Sequence, residues 1–159
     1  MNTLKINKGF TLIEVMVALF ILTIGMLGST AMMLRTQQQA EETSIETTAA
    51  QRAWNISELL RSSITNVNAS SYTDMTVSPG GSAPTCISTG CDQAGMILLT
   101  RFLIGMELET YMPGLNAQAK ITNVTGTPTD AVFKVAVTWD KLIADGSALT
   151  QTYEMLFQP

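Results

Sequence analysis

A chain of 159 residues with 46% hydrophobic content suits a single domain with an anchor rather than several domains. It contains no histidine, the commonest general base and metal ligand, and its two cysteines fall short of the four ligands of a structural zinc site. From residue 10 onward there are seven basic and thirteen acidic residues, a balance that lacks the clustered basic footprint of nucleic-acid binding.

The first element is a short basic leader, residues 1–9, carrying Lys5 and Lys8. An apolar stretch from Phe10 to Leu34 follows, with Glu14 as its one charge. About 20 apolar residues suffice to cross a bilayer. Lys5 and Lys8 before the run place the N-terminus in the cytoplasm and the remainder outside, by the positive-inside rule. A cleaved signal peptide would use Gly28-Ser29-Thr30-Ala31 as its small residues, but the run exceeds the usual 7–15-residue apolar region. Glu14 would also fall inside that region. An intramembrane carboxylate costs about 2.5–3.5 kcal/mol at the helix centre and less near an end, so it marks function before packing. Gly25 and Gly28 weaken the helix slightly and allow another helix to approach.

Beyond Arg35 the helix is expected to continue to about residue 64. Ile45, Ala49, Ala53, Ile56, Leu60 and Ile64 recur every three to four residues as one apolar stripe, leaving Arg52, Glu58 and Arg61 for the polar face. Residues 65–95 read as loop, rich in Asn, Ser, Thr, Gly and Pro. Within it, Cys86 and Cys91 are expected to pair as a disulfide, because the head lies outside the cytoplasm. Met96, Leu99, Leu103 and Met106 predict a second helix over 95–111, stopped by Pro113-Gly114. The period then changes to two: Ala117, Ala119, Ile121; Phe133, Val135, Val137, Trp139; Tyr153, Met155, Phe157. Turns around Gly126-Thr127-Pro128 and Asp145-Gly146 suit an antiparallel meander. Trp139 and Tyr153 are expected in the core rather than on a binding platform. The expected class is α+β, a long N-terminal helix packed on a small antiparallel sheet head.

Lys8-Gly9-Phe10-Thr11-Leu12-Ile13-Glu14-Val15 resembles the class III signal of type IV prepilins and pseudopilins. The resemblance implies that prepilin peptidase cuts between Gly9 and Phe10 and methylates the amine of Phe10. It also implies a role in assembly for Glu14. Domains follow as a leader (1–9), a transmembrane and assembly helix (10–34) and a periplasmic or extracellular pilin head (35–159). Residues Phe20 to Gly28, Leu34-Arg35-Thr36, the Cys86 and Cys91 loop, Met112-Pro113-Gly114 and Val135-Ala136-Val137-Thr138-Trp139-Asp140 are similar to the PilV group of minor pilins. That similarity implies a structural subunit of a type IV pilus assembly-priming or tip complex, supporting pilus biogenesis, adhesion and twitching motility. Expected partners are prepilin peptidase, other minor and major pilins and a tip adhesin. The expected location is the bacterial inner membrane before assembly and the pilus at the cell surface after it. The I-type minor pseudopilin of a type II secretion system shares the signal, helix and small head and stays open as the alternative, as does an anchored binding protein that never assembles. No catalytic residue, cofactor or metal is expected, and no nucleic-acid partner.

Overall fold

The computed structural model of the chain describes residues 9, 11–64, 72, 74–125, 131–143 and 146–158. The chain divides into two compact units, Met1–Thr43 and Ser44–Pro159. Helix α1 runs from Leu12 to Ile64 without interruption and belongs to both. No proline interrupts it, and the Ala, Gln, Glu and Thr of its middle are compatible with a helix.

The second unit is built on the outer part of α1. Ala49, Ala53, Ile56 and Leu60 are completely buried there, with Ile45 and Ile64 partly buried beside them. The sheet is a four-stranded antiparallel meander in the order β1-β2-β3-β4. Its strands are β1 (Met75–Val77), β2 (Gln118–Asn123), β3 (Phe133–Leu142) and β4 (Ala148–Phe157). The register places Ala119 opposite Val137, Ile121 opposite Val135, and Phe133 opposite Phe157. Period-two alternation therefore puts Ala119, Ile121, Phe133, Val135, Val137, Trp139 and Phe157 on the buried face. Each large apolar side chain so buried contributes about 1.5–3 kcal/mol. Phe133 and Phe157 stack with ring centroids 5.6 Å apart. The expected α+β class and antiparallel meander are what the chain adopts. Trp139 is buried, and Tyr153 is half-buried against the core.

Helix α2 (Gln93–Tyr111) starts two residues before the expected position, because Asp92 caps it: its Oδ1 accepts from the Gly95 N–H at 2.8 Å. Its buried face also differs. Thr100, Ile104 and Leu108 are buried, whereas Leu103 and Met106 are exposed. Apolar residues occur all round this helix, so spacing alone does not select the packed side. The stretch expected as loop contains β1, too short to show a period, and a 3-10 turn at Thr85–Ser88. Gly126-Thr127-Pro128, Asp145 and residues 65–71 and 73 lie outside the described residues. At the β3–β4 connection, Gly146 has φ +83° and its N–H donates to the Ile143 carbonyl at 2.9 Å.

Close approach at Gly105 seats the segment after β1 on α2. The Gly80 N–H donates to the Gly105 carbonyl at 3.3 Å. A Cβ on Gly105 would collide with the Gly80 carbonyl oxygen and lie 3.1 Å from that of Ser78. Both neighbours are backbone and cannot rotate away. In an open helix, Gly→Ala would gain up to about 1 kcal/mol, but here overpacking outweighs that gain. Gly105→Ala is expected to destabilise the head by about 1–3 kcal/mol, read as a lowered midpoint in thermal unfolding followed by near-ultraviolet circular dichroism. An unchanged or raised midpoint would contradict this packing.

Candidate functional site

The chemistry-bearing residues singled out by sequence fall in two places, the start of α1 and the disulfide loop. At the helix start, the Glu14 and Val15 N–H groups donate to the Thr11 carbonyl at 3.1 and 3.4 Å, closing the first turn. Glu14 sits in that turn, where a carboxylate complements the positive end of the helix dipole. Gly9 is exposed, with no atom within 4 Å of where a Cβ would lie. Phe10, the expected site of cleavage and methylation, lies outside the described residues, as does the leader through Lys8.

From Leu12 to Leu34 every side chain of α1 is exposed, including Leu12 at 79% and Leu27 at 72%. The helical length of this stretch is about 34 Å at 1.5 Å per residue, against a hydrocarbon core of about 30 Å. Its hydroxyl side chains bond back to the helix. The Thr23 hydroxyl donates to the Phe20 carbonyl at 2.8 Å, and those of Ser29 and Thr30 donate to the Met26 carbonyl at 3.0 and 2.8 Å. Such self-satisfaction is what an apolar solvent demands of hydroxyl groups. Nothing lies within 4 Å of a Cβ built on Gly25 or Gly28, so both leave shallow recesses on the helix surface. The segment is thus long and apolar enough to cross a membrane, with one acidic group at its beginning.

In the head, Cys86 and Cys91 form the expected disulfide. It lies against the first turn of α2, where a Cβ on Gly95 would come within 2.8 Å of the Cys86 Sγ. The bridge closes a loop of a few residues, so its effect on the unfolded chain is local.

Arg52 departs from its expected place on the polar face of α1. It is buried, and its Nη1 donates to Glu107 Oε1 of α2 at 2.8 Å. Asn55 Nδ2 donates to the same oxygen at 2.9 Å, and the Arg52 guanidinium lies 3.9 Å from the centroid of the Tyr111 ring. No local pattern reveals this clamp of α1 to α2, because its partners are more than fifty residues apart. The signal available was Arg52 itself, a cation directly beside the stripe residue Ala53. Arg61 and Glu58 occupy the polar face as expected and pair with each other, three residues apart on the helix.

Residues 4–30 match the family model described as the prokaryotic N-terminal methylation motif. No significant match to a curated protein or to a solved structure is found. The matched segment holds Lys8, Gly9, Phe10 and Glu14 together with the first part of α1. It supports a type IV pilin-like or pseudopilin protein, anchored by its apolar N-terminal helix, and implies processing by prepilin peptidase and pilin partners in general.

The Arg52 clamp carries its own expectation. Removing Glu107 leaves a mostly desolvated guanidinium with only an aromatic face. Glu107→Ala is therefore expected to cost about 1–3 kcal/mol, whereas Glu58→Ala, which breaks only the exposed pair with Arg61, is expected to cost less than about 1 kcal/mol. Chemical denaturation of the two variants side by side measures the difference.

Proposed function

We propose that this chain is a minor pilin of a type IV pilus, a structural subunit of the complex that primes assembly or occupies the tip. The carrying observation is the methylation motif at residues 4–30 on an exposed apolar helix that runs on, unbroken, into a folded head. In this reading residues 1–9 are a leader removed between Gly9 and Phe10, and Phe10 becomes the methylated N-terminus. Residues 10–34 anchor the chain in the inner membrane, N-terminus cytoplasmic, and later join the filament interior; residues 35–159 form the head. The order of the disulfide loop, the helix ending at Met112-Pro113-Gly114 and the Val135 to Asp140 strand supports a PilV-like subunit. Its partners are then prepilin peptidase, other minor and major pilins, and a tip adhesin, and the machine it serves acts in adhesion and twitching motility.

The physical logic centres on Glu14. A carboxylate near the end of a membrane helix is desolvated at a cost, which an adjacent cation offsets. Cleavage before Phe10 creates an ammonium one helical turn away, and the same ammonium on each neighbouring subunit. Pairing Glu14 with a neighbour's amine fixes the axial stagger between helices while neutralising both charges. The anchor thus becomes an assembly surface without any change in its apolar face.

Two measurements test the proposal. Glu14→Ala is expected to be cleaved and inserted normally but to be lost from sheared filaments; normal recovery there would remove the pairing role. Deleting the gene is expected to abolish or sharply reduce surface pili while folded exoproteins are still secreted. The opposite pattern, normal pili with lost secretion, would assign the chain to a type II pseudopilus.

A further inference from the structure

We infer that the cleft where β3 runs past the start of β2 binds the guanidinium group of an arginine presented by a partner protein. The inference rests on the head alone and is independent of the filament reading.

The cleft arises where the sheet narrows. β2 begins at Gln118, opposite Thr138, whereas β3 continues to Leu142. Past Thr138 the loop between α2 and β2 takes the place of a strand, and the Asp140 N–H donates to the Leu115 carbonyl at 2.7 Å. The C-terminal end of α2 and the start of the segment after β1 form the other walls. The volume is about 810 Å³, within the roughly 300–1,000 Å³ of ligand-binding clefts.

Several donors in the lining are turned inward, while its carboxylates keep accepting capacity. Asn116 Nδ2 donates to Asp140 Oδ2 at 2.9 Å, and the Thr150 hydroxyl donates to Asp140 Oδ1 at 3.1 Å, which holds this carboxylate in place. The Thr138 hydroxyl donates to the Gln118 carbonyl at 3.4 Å. A carboxylate offers about four lone-pair sites, so about two remain on Asp140. Glu109 is exposed, and its Oε2 lies 3.7 Å from where a Cβ on Gly80 would stand. Among the described residues, neither Glu109 nor Asp140 pairs with a cation.

Electrostatics select a cation as the occupant. No lysine or arginine is among the residues lining the cleft, and α2 ends there with no basic residue in its last turn. The carbonyl end of a helix is the negative pole of its dipole, where a cation is favoured and an acid is not. Glu109, Asp140 and this pole therefore add to one negative field that the lining leaves unneutralised. Among the described residues no group of three or more Asp, Glu, His or Cys could hold a metal ion. An organic cation fits instead.

Donor count selects guanidinium. It presents five N–H donors in a planar fork and no acceptor, so it can serve two separate carboxylates at once, whereas an ammonium presents three. Guanidinium is also the more weakly hydrated of the two and loses less on entering a partly closed cleft. Pro113 and Trp139 in the lining give the aliphatic stem an apolar surface to lie on. Arginine is enriched among the anchor residues of protein interfaces, which makes a partner protein the source.

The test titrates the purified full chain, in zwitterionic detergent micelles, with Nα-acetyl-arginine amide. Nitrogen–proton correlation signals of the Asn116 and Gln118 side-chain amides and the Trp139 indole report on the cleft. Saturable shifts in the millimolar range are expected, and Glu109→Gln and Asp140→Asn are each expected to weaken binding by about threefold, as loss of a partly exposed ion pair would. Glu109 is exposed and without an ion pair among the described residues, so Glu109→Gln keeps the test decisive if Asp140→Asn disturbs the loop. Absence of saturable shifts, or unchanged binding by Glu109→Gln, would overturn the inference. So would equal binding of the neutral Nα-acetyl-citrulline amide or of Nα-acetyl-lysine amide.

Discussion

The hydrogen-bonded continuity of α1 from Leu12 to Ile64 is the constraint on which the rest of the structure depends, because this helix alone belongs to both compact units. A helix satisfies its backbone internally, so it can cross lipid without a protein partner. The same backbone, once its side chains change from all-round apolar to a single stripe, closes a protein core. The switch needs no joint. It is written as composition: uniform apolarity through Leu34, polar residues over Thr36 to Ser44, then Ala49, Ala53, Ile56 and Leu60 on one face.

The head is held to α1 by two kinds of contact with different reach. The apolar stripe shares the core with the sheet and is non-directional. The Arg52–Glu107 clamp and the Tyr111 ring above it are directional, and they fix how α2 sits along α1. On the far side of α2, Gly95 and Gly105 let the disulfide loop and the segment after β1 lie directly on the helix. The second helix is therefore packed on two sides, while Leu103 and Met106 remain exposed.

Legibility in the sequence followed the length of each pattern. The long helix, the disulfide and the three longer strands each rested on a repeated period or on a pair of residues with one chemical fate. β1 did not, because three residues carry no period and its strand character comes from pairing with β2. The packed face of α2 was ambiguous because many choices of stripe were available. By sequence Arg52 reads as a solvent-face residue, because a lone cation usually belongs there, and its burial depends on a carboxylate supplied by a distant helix. At the N-terminus, Gly9, Phe10 and Glu14 are legible because they form a short linear pattern, within the residues 4–30 that match the methylation motif.

By itself, the sequence determined the local and compositional features: a segment able to span a membrane, one carboxylate at its start, a processing motif, an amphipathic continuation and period-two strands. These depend on neighbours three, four or two residues away, and such neighbours are always present in the chain. Only the tertiary structure decided which face of α2 is buried, that Arg52 is a clamp, and that two glycines let neighbouring segments lie on α2. Each of these is a meeting of residues far apart in the chain, and no local period encodes where such residues meet.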